Sequence, residues 1–476
     1  MTLLHFILIM ALAQGSKSVE ALTQQATEDY RRGNFSAARD ELRQALEEAP
    51  QNADLWRYLG QANAKLNEMD SAINDFQRSL SLDPQNAQTH FNLGLLYRRK
   101  GQTNKALEMY RQGLALDAND PGANQVYASL LMVSERYHEA IAPLQRLAQT
   151  KGLGPSVQIA LSDCYLRSGM RGLGVKEVQD FLESSNAPAT DHFNLAKVLL
   201  ENHEDDLAQR VLRHAVLVAP DSAAAHAKLG VFFANENQLE DAAQEMMSAV
   251  RLAPDSADYS MEFAAVLLLS QRYSTALDFL TSVEERFRKL PDYQYKVALA
   301  FYGLNLYPEA ITKLDELARE HPELDLVQYF LGNSYLAEGE MTKPEPYYKR
   351  AIELNPTNPL YYKSLGTLLR RQGPERVDEA ILALRKALSI DAEDVQAKLE
   401  LALCYEEQRN YPQSESLLEE IIRRQPASLP AHVALARTYY RQKKKAEGDR
   451  ERATISRITS EEQSKVLNQT QPPSNK

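Results

Sequence analysis

Hydrophobic residues recur along this chain at helical spacing, and the pattern that they form returns every 34 residues. The stretch 53–84 shows it most plainly. Trp56 and Leu59 lie on one face of a first predicted helix, and Ala72 and Phe76 lie on one face of a second. Spacings of three and four residues place side chains on the same side of an α-helix. We therefore predict a helix–turn–helix unit here.

The same unit repeats along most of the chain. When Ala53 is counted as position 1 of the second unit, position 8 carries a small residue throughout, as the close approach of two helices requires. The residues at position 8 are Gly60, Gly94, Ala128, Ser162, Ala196, Gly230, Ala264, Ala298, Gly332 and Gly366 and, after a shift of two residues, Ala402 and Ala436. This phase predicts twelve full units and a half over residues 19–440.

Glycine, asparagine and proline mark the ends of the predicted helices. Position 15 is Gly or Asn in many units, as in Gly33, Asn67 and Gly101, and these residue types accept the left-handed conformation just past a helix end. Position 32 is often proline, as in Pro84 and Pro220, which stops the second helix because proline has no amide hydrogen to donate. The turns are therefore specified locally.

The motif Trp-x-x-Leu-Gly at 56–60, followed by Ala-x-x-x-Phe at 72–76 and by Pro84, resembles the tetratricopeptide repeat. The resemblance implies an all-α fold, an α-solenoid of stacked helix–turn–helix tetratricopeptide-like repeats forming a superhelix. In such an array each unit packs mainly on its neighbours. The resemblance also implies a non-catalytic scaffold or adaptor that binds protein segments in a concave groove.

The two ends of the chain differ from the repeats. Residues 1–13, MTLLHFILIMALA, form an apolar run that ends in an Ala-x-Ala cleavage pattern, which predicts a secretory signal peptide and an exported protein, periplasmic or extracellular. The alternative is a hydrophobic helix that caps the first unit of a cytoplasmic protein. The run is too short to span a bilayer, so we do not expect an integral membrane protein. Residues 441–467 predict a polar capping helix, and residues 468–476 a disordered tail.

Composition and charge narrow the classes of partner. The formal net charge is −11, and acidic residues are spread through the helices, whereas a nucleic-acid partner would need a concentrated basic face. We therefore expect protein or peptide partners and no nucleic acid. The two cysteines, Cys164 and Cys404, both lie at position 10 of a first helix seven units apart, which predicts buried thiols and no disulfide between them.

We find no pattern that predicts catalysis, a metal or a cofactor. Four histidines fall at position 4, where Trp56 lies in the second unit, and this recurrence predicts contacts between neighbouring helices: His90, His192, His226 and His432. They lack the converging donors that a zinc site needs. The pair Gly152 and Gly154 does not complete a nucleotide-binding fingerprint. Because the repeats occupy the chain, no segment is left for a catalytic domain, and we predict that the protein is not an enzyme.

The resemblance implies that positions 2, 5, 6, 9, 12 and 13 of each first helix, called here the groove positions, line the binding groove. In the second and third units they give a basic patch that includes Arg57, Gln61, Phe91, Asn92, Arg98 and Arg99. In the ninth and tenth units they give an aromatic strip that includes Tyr295, Tyr302, Tyr329, Phe330 and Asn333. Aromatic side chains with polar tips are enriched at binding surfaces. The alternative for these rings is packing against the adjacent helix.

Two further functions fit the same pattern. The chain could be a targeting or regulatory arm of an enzyme complex, such as a glycosyltransferase system, or an envelope polysaccharide-assembly factor whose tyrosines stack on sugars. A clamp for the terminal carboxylate of a chaperone tail, known in the family, is disfavoured because the fourth unit offers Gly122 and Val126 where that clamp has basic residues.

Overall fold

The computed structural model describes residues 18–149, 154–184 and 187–470. Throughout these ranges, every regular element is a helix. The predicted signal segment 1–13 lies outside the described residues, as do the last six residues of the predicted tail, so both stay predictions. No helix in the described ranges has the length and apolar character needed to cross a bilayer.

The helices follow one another in antiparallel pairs. They are α1 Val19–Arg32, α2 Phe35–Glu48, α3 Ala53–Lys65, α4 Met69–Leu82, α5 Ala87–Arg99, α6 Thr103–Leu116, α7 Pro121–Val133, α8 Tyr137–Ala148, α9 Pro155–Arg167, α10 Arg171–Ser184, α11 Ala189–Glu201, α12 Asp205–Val218, α13 Ala223–Asn235, α14 Leu239–Leu252, α15 Ala257–Leu269, α16 Tyr273–Ser282, the short α17 Glu284–Phe287, α18 Pro291–Gly303, α19 Tyr307–Glu320, α20 Asp325–Ala337, α21 Pro344–Leu354, α22 Pro359–Gln372, a 3₁₀ turn Pro374–Arg376, α23 Val377–Ile390, α24 Val395–Glu407, α25 Tyr411–Arg424, α26 Leu429–Arg441 and α27 Lys445–Thr470. The predicted all-α fold of stacked helix–turn–helix repeats is confirmed.

The chain forms two compact units, residues 1–229 and 230–476. In the first, a continuous apolar core extends from Ala72 to Tyr165 along successive repeats. In the second, a core of the same kind extends from Tyr329 to Tyr405. Each core is therefore distributed along the repeats, as the resemblance implies.

Glycine at position 8 lets a large side chain at position 24 enter the space between the two helices of a unit. A methyl group added to Gly332 would lie 2.6 Å from Cε1 of Tyr348, and one added to Gly60 would lie 2.9 Å from the ring of Phe76. Most units with alanine at position 8 have leucine at position 24, as in Ala298 with Leu314, whereas the last unit has Ala436 with Arg452. The two positions therefore compensate each other in volume.

Two polar contacts recur between consecutive units. In several units that have Trp or His at position 4, the ring N–H donates to the carbonyl oxygen six residues earlier, just after the preceding second helix. The distance is 2.9 Å from Trp56 to Pro50 and 3.0 Å from His90 to Pro84. A tyrosine hydroxyl at position 11 meets a polar side chain at position 25 of the preceding unit. These pairs are Tyr97–Gln77, Tyr165–Gln145, Tyr335–Asp315, Tyr405–Arg385 and Tyr439–Glu419. Both contacts tie one unit to the next.

The predicted left-handed turn residue at position 15 is confirmed at Asn67 and Gly101, with φ of 63° and 70°. The same conformation occurs at position 15 in units that have neither glycine nor asparagine there, as at Glu135, with φ of 58°. Other residues that share this turn are His203, Gln271, Arg409 and Lys443. The packing of the helix pair therefore imposes the turn even where a side chain makes it unfavourable.

The last helix completes a thirteenth pair. α27 packs against α26, and Gly448, at position 20 of this unit, lies against Tyr440, since an added methyl group would be 2.7 Å from that ring. The expected boundaries were residues 441–467 for a capping helix and 468–476 for a disordered tail. In the structure the helix begins at Lys445 and continues to Thr470, so the half unit becomes a full pair.

We expect the substitution Gly332→Ala to destabilise the protein. The added methyl group overlaps the buried ring of Tyr348, and overpacking of this kind costs about 1 to 3 kcal/mol, which outweighs the gain of about 1 kcal/mol in helix propensity. In a Tyr348→Leu background the same substitution should stabilise, because alanine and leucine pack together in the ninth unit. Urea unfolding of the four variants measures both effects. If Gly332→Ala changed the free energy of unfolding in the same direction with tyrosine and with leucine at position 348, the two positions would not compensate each other in volume.

Candidate functional site

An apolar cleft of about 400 Å³ lies between the first helices of the eighth, ninth and tenth units. We call it the aromatic cleft. Its lining residues are Ala265, Leu268, Leu269, Tyr273, Tyr295, Lys296, Leu299, Tyr302 and Phe330. All but Tyr273 occupy groove positions, so the cleft lies on the surface that the resemblance assigns to binding.

Edge-to-face contacts fix the rings in the aromatic cleft. The ring of Phe330 on α20 lies 5.9 Å from that of Tyr295 and 5.7 Å from that of Tyr302, at interplanar angles of 69° and 78°. Both tyrosines lie on α18, seven residues and two turns apart, so Phe330 is placed against both. Rings in this arrangement attract each other. The cleft wall is therefore formed before any ligand arrives.

The aromatic cleft is poor in available polar groups. Burial raises the pKa of both Tyr295 and Tyr302 above the ordinary tyrosine value, so the hydroxyls stay neutral at physiological pH. Lys296 forms an ion pair with Asp292 one turn earlier on the same helix. Leu269, which also lines the cleft, is 64% exposed and adds apolar surface beside the rings. The surface suits an apolar ligand group.

Tyr329 is a core residue, which corrects its place in the predicted aromatic strip. It is only 8% exposed, and its ring lies 5.1 Å from that of Tyr361 and 6.0 Å from that of Tyr348. Its hydroxyl accepts a hydrogen bond from Ser364 at 3.4 Å. Asn333 is also engaged within the protein, because its Oδ1 accepts a 2.7 Å hydrogen bond from Tyr348.

Phe91 requires the same correction in the basic patch. It is 7% exposed and stacks on Tyr110 at 6.1 Å between ring centroids. It enters the core because Gly113 has no side chain: a methyl group there would lie 2.4 Å from the Phe91 ring. Asn92 is half-buried beside it, and its Oδ1 accepts from Gln88 at 3.2 Å.

The remaining residues of the predicted basic patch lie in different surroundings. Asp54 holds Arg57 at 2.6 Å, and the Arg57 guanidinium stacks on the ring of Tyr58. Gln61 lines a separate cleft of about 270 Å³ with side chains of α1, α2 and α3. Arg98 and Arg99 are exposed, and neither takes part in an ion pair with any described residue. Of the three arginines predicted for this patch, Arg57 is therefore paired with a carboxylate, whereas Arg98 and Arg99 are not paired with any described one.

The predicted strip omitted the aliphatic half of the aromatic cleft. Leu268 and Leu269 on α15, and Leu299 on α18, also line this cleft. A signal was available, because these leucines occupy positions 12, 13 and 9 of their units, which are groove positions. Leucine in an amphipathic helix ordinarily indicates core, and only the structure shows which of them is left at the surface.

The side chains that could carry chemistry have structural roles. Cys164 and Cys404 are free and fully buried, as predicted, and burial raises the pKa of each thiol to about 12. The position 4 histidines contact backbone carbonyl oxygens. Within the described ranges, no three or more His, Cys, Asp or Glu side chains are grouped so as to hold a metal ion.

Family comparisons agree with the repeat pattern. Residues 9–152 match the tetratricopeptide-repeat domain of cytochrome c-type biogenesis protein H. Residues 193–257 and 295–359 match one further tetratricopeptide-repeat family, and residues 372–436 match another. The chain is a tetratricopeptide-repeat protein. Members of this class typically bind other proteins as adaptors.

One curated relative shares part of the sequence. The peroxisomal targeting signal receptor of Kluyveromyces lactis is 32% identical over 133 residues, which cover 26% of this chain and 22% of that receptor. The match therefore spans about a fifth of the receptor's length.

Three solved structures are similar to this chain at low identity and with TM-scores below 0.5. Yeast Tom70 is 17% identical with a TM-score of 0.44, covering 89% of this chain and 96% of that chain. The complex of Naa15 and Naa10 bound to HypK-THB is 13% identical with a TM-score of 0.43, covering 94% and 77%. The Cut9–Hcn1 hetero-tetramer of the APC/C is 14% identical with a TM-score of 0.43, covering 95% of both chains. At these scores the likeness supports no functional argument.

We expect Tyr329→Ala and Tyr302→Ala to differ sharply in stability. Removing the buried Tyr329 ring leaves a cavity, and core substitutions of this size cost about 3 to 5 kcal/mol. Removing the half-buried Tyr302 ring should cost about 1 to 2 kcal/mol. Urea unfolding of the two variants beside wild type gives the comparison. Equal losses would mean that Tyr302 is as much a core residue as Tyr329.

We expect both thiols to be inert in the folded protein. With a pKa of about 12, the thiolate fraction at pH 8 is about one in ten thousand, and burial blocks access as well. A chromogenic disulfide reagent at pH 8 should therefore titrate both thiols in urea and neither in buffer over the same time. Rapid titration of either thiol without denaturant would show that its helix is not packed as described.

Proposed function

We propose that this protein is an exported, non-catalytic scaffold that binds a segment of a partner protein in the aromatic cleft. The observation that carries the proposal is the position of the cleft: apolar and aromatic side chains from three successive first helices meet at groove positions. Exposed apolar surface of this kind, in a protein with an acidic surface elsewhere, is characteristic of interaction sites. Export rests on the apolar run 1–13.

The aromatic cleft is suited to a large apolar side chain of a peptide. The rings of Tyr295, Tyr302 and Phe330 hold one another through edge-to-face contacts, so a ligand does not have to order them. A preformed site loses little conformational entropy on binding. The partner segment bears most of that cost, which favours a short extended or helical segment with one or two anchoring side chains.

A sugar fits this site less well than a peptide. Sugars need hydrogen-bond partners around a stacked ring, and the lining offers only the tyrosine hydroxyls and Lys296, which is already paired with Asp292. We therefore rank the polysaccharide-assembly function below peptide binding. The arm of an enzyme complex remains compatible with this proposal, because it too would bind a protein.

Arg98 and Arg99 provide a second proposed contact, in the other compact unit. Both lie at groove positions of α5, both are exposed, and neither is neutralised by a described carboxylate. Exposed charges at the rim of an interface mainly accelerate association and are screened by salt. An acidic stretch of a partner would therefore be attracted to these two arginines.

The proposal predicts which substitutions weaken binding. Peptides selected from a random displayed library on the wild-type protein should contain bulky apolar anchors, and Tyr302→Ala should weaken their binding at least about tenfold, as loss of an interface tyrosine does. The weakening should persist in high salt. Fluorescence anisotropy of labelled peptides measures it, and a glycan array probed with the same protein should stay blank.

Two control variants sharpen this experiment. Tyr411→Ala removes a half-exposed tyrosine that does not line the aromatic cleft and should leave the peptide affinity unchanged. Replacing Arg98 and Arg99 by Ala should lower the affinity for acidic peptides at low salt only. If Tyr302→Ala binds the selected peptides as wild type does, or if glycans bind in place of peptides, the proposed function is wrong.

A further inference from the structure

The face of the last unit that would receive another helix carries a cleft of about 460 Å³. We call it the terminal face. Its lining residues are Val433, Ala436, Arg437, Tyr440, Arg441, Arg452 and Ile455, all from α26 and α27. Val433 and Tyr440 are 46% and 41% exposed. This surface therefore combines exposed apolar groups with three arginines.

The equivalent face of an internal unit is covered by the next first helix. In the first unit, Ala26, Thr27 and Tyr30, at positions 8, 9 and 12, face Tyr58 and Gln61 of the second unit across a smaller cleft. In the last unit the same positions are Ala436, Arg437 and Tyr440, and no residue of another described repeat lines the cleft. The terminal face thus has the form of an inter-repeat surface.

The charges at the preceding interfaces alternate in sign. Arg370, at position 12 of the eleventh unit, pairs with Glu400 at 2.9 Å and with Glu407 at 3.0 Å in the twelfth. Charged positions in one unit are thus neutralised by the first helix of the next.

In the next interface the signs are reversed. Glu406, which is almost fully buried, pairs with Arg437 at 2.6 Å and with Arg441 at 3.2 Å in the last unit. Arg437 and Arg441 remain about half exposed beyond that carboxylate. A helix that continued the alternation would be acidic.

Arg452 is a charged residue at a position that is apolar in the other units. It stands at position 24, where the other units have an apolar residue such as Leu418, and it is exposed. None of the ion pairs among the described residues includes it. In an internal unit, this position contributes to the surface that the next first helix covers, as Leu42 does in the first.

We propose that the terminal face binds an acidic amphipathic helix of a partner protein, which stacks on the last unit as a further first helix. Its carboxylates would meet Arg441 and Arg452, and its apolar residues would cover Val433 and Tyr440. A second copy of this chain is a poor occupant. Its α1 would present Gln24, Thr27 and Arg31 at positions 6, 9 and 13, which brings arginine towards arginine.

A peptide from this chain provides a defined probe. α24 already covers such a face, with Glu400 and Glu407 at positions 6 and 13, so we would use a stapled peptide of residues 394–408 carrying Cys404→Ser. The staple is needed because a helix this short is marginal in water. The matched control peptide carries Glu400→Lys and Glu407→Lys.

We expect saturable binding of the acidic peptide to the full chain, measured by fluorescence anisotropy. Arg452→Glu, or the lysine peptide, should weaken it at least about tenfold, because a like charge then faces each partner. Arg450→Glu changes the net charge equally, on an exposed residue outside the terminal face, and should alter the affinity less than about twofold.

Other outcomes would overturn the proposal. If the acidic peptide did not bind saturably, or if Arg450→Glu weakened its binding as much as Arg452→Glu does, the attraction would be non-specific. A loss with Tyr302→Ala would place the peptide in the aromatic cleft, so that variant separates this proposal from the proposed function. Sedimentation that shows a wild-type dimer dissociated by Arg452→Glu would assign the terminal face to a second copy instead.

Discussion

The contact between the small residue at position 8 and the side chain at position 24 sets how closely the two helices of each unit approach. Where position 8 is glycine, as in Gly332, a ring such as that of Tyr348 fills the space. Where it is alanine, as in Ala298, leucine suffices. Interiors tolerate little extra volume. Hydrogen bonds from positions 4 and 11 to the preceding unit then join successive units.

The candidate site follows from this packing, through what each side chain meets in the neighbouring units. Phe91, Tyr295 and Tyr329 all occupy position 5, yet Tyr295 lines the aromatic cleft whereas Phe91 and Tyr329 are buried. Phe91 is drawn into the core by the space at Gly113, and Tyr329 is enclosed by rings of its own and the next unit. Aromatic residues at one repeat position therefore divide into core and binding surface according to the volumes opposite them.

The net charge of the protein does not show how its charged side chains are distributed among the units. A protein with a net charge of −11 still presents Arg98 and Arg99 without described partners, whereas Arg57 is neutralised by Asp54 in the same helix. In the last three units, acidic and basic side chains alternate across successive interfaces. An ion pair between units costs the desolvation of both groups, and good geometry is needed to recover it. At the last of these interfaces Glu406 pairs with Arg437 and Arg441, whose side chains stay about half exposed beyond the carboxylate.

The sequence by itself determined the 34-residue period, the helix pairs, the small residues at position 8 and the turn at residues such as Asn67, because these depend on contacts within one unit or on backbone preferences. The groove positions, and with them the prediction of Tyr295 and Tyr302 as binding residues, came through the resemblance to the tetratricopeptide repeat. Only the tertiary structure decided the burial of Phe91 and Tyr329, the left-handed turn at Glu135 and the pairing of α26 with a helix that begins at Lys445. The physical reason is that burial depends on the volume and charge of side chains in neighbouring helices and units, which no local pattern specifies.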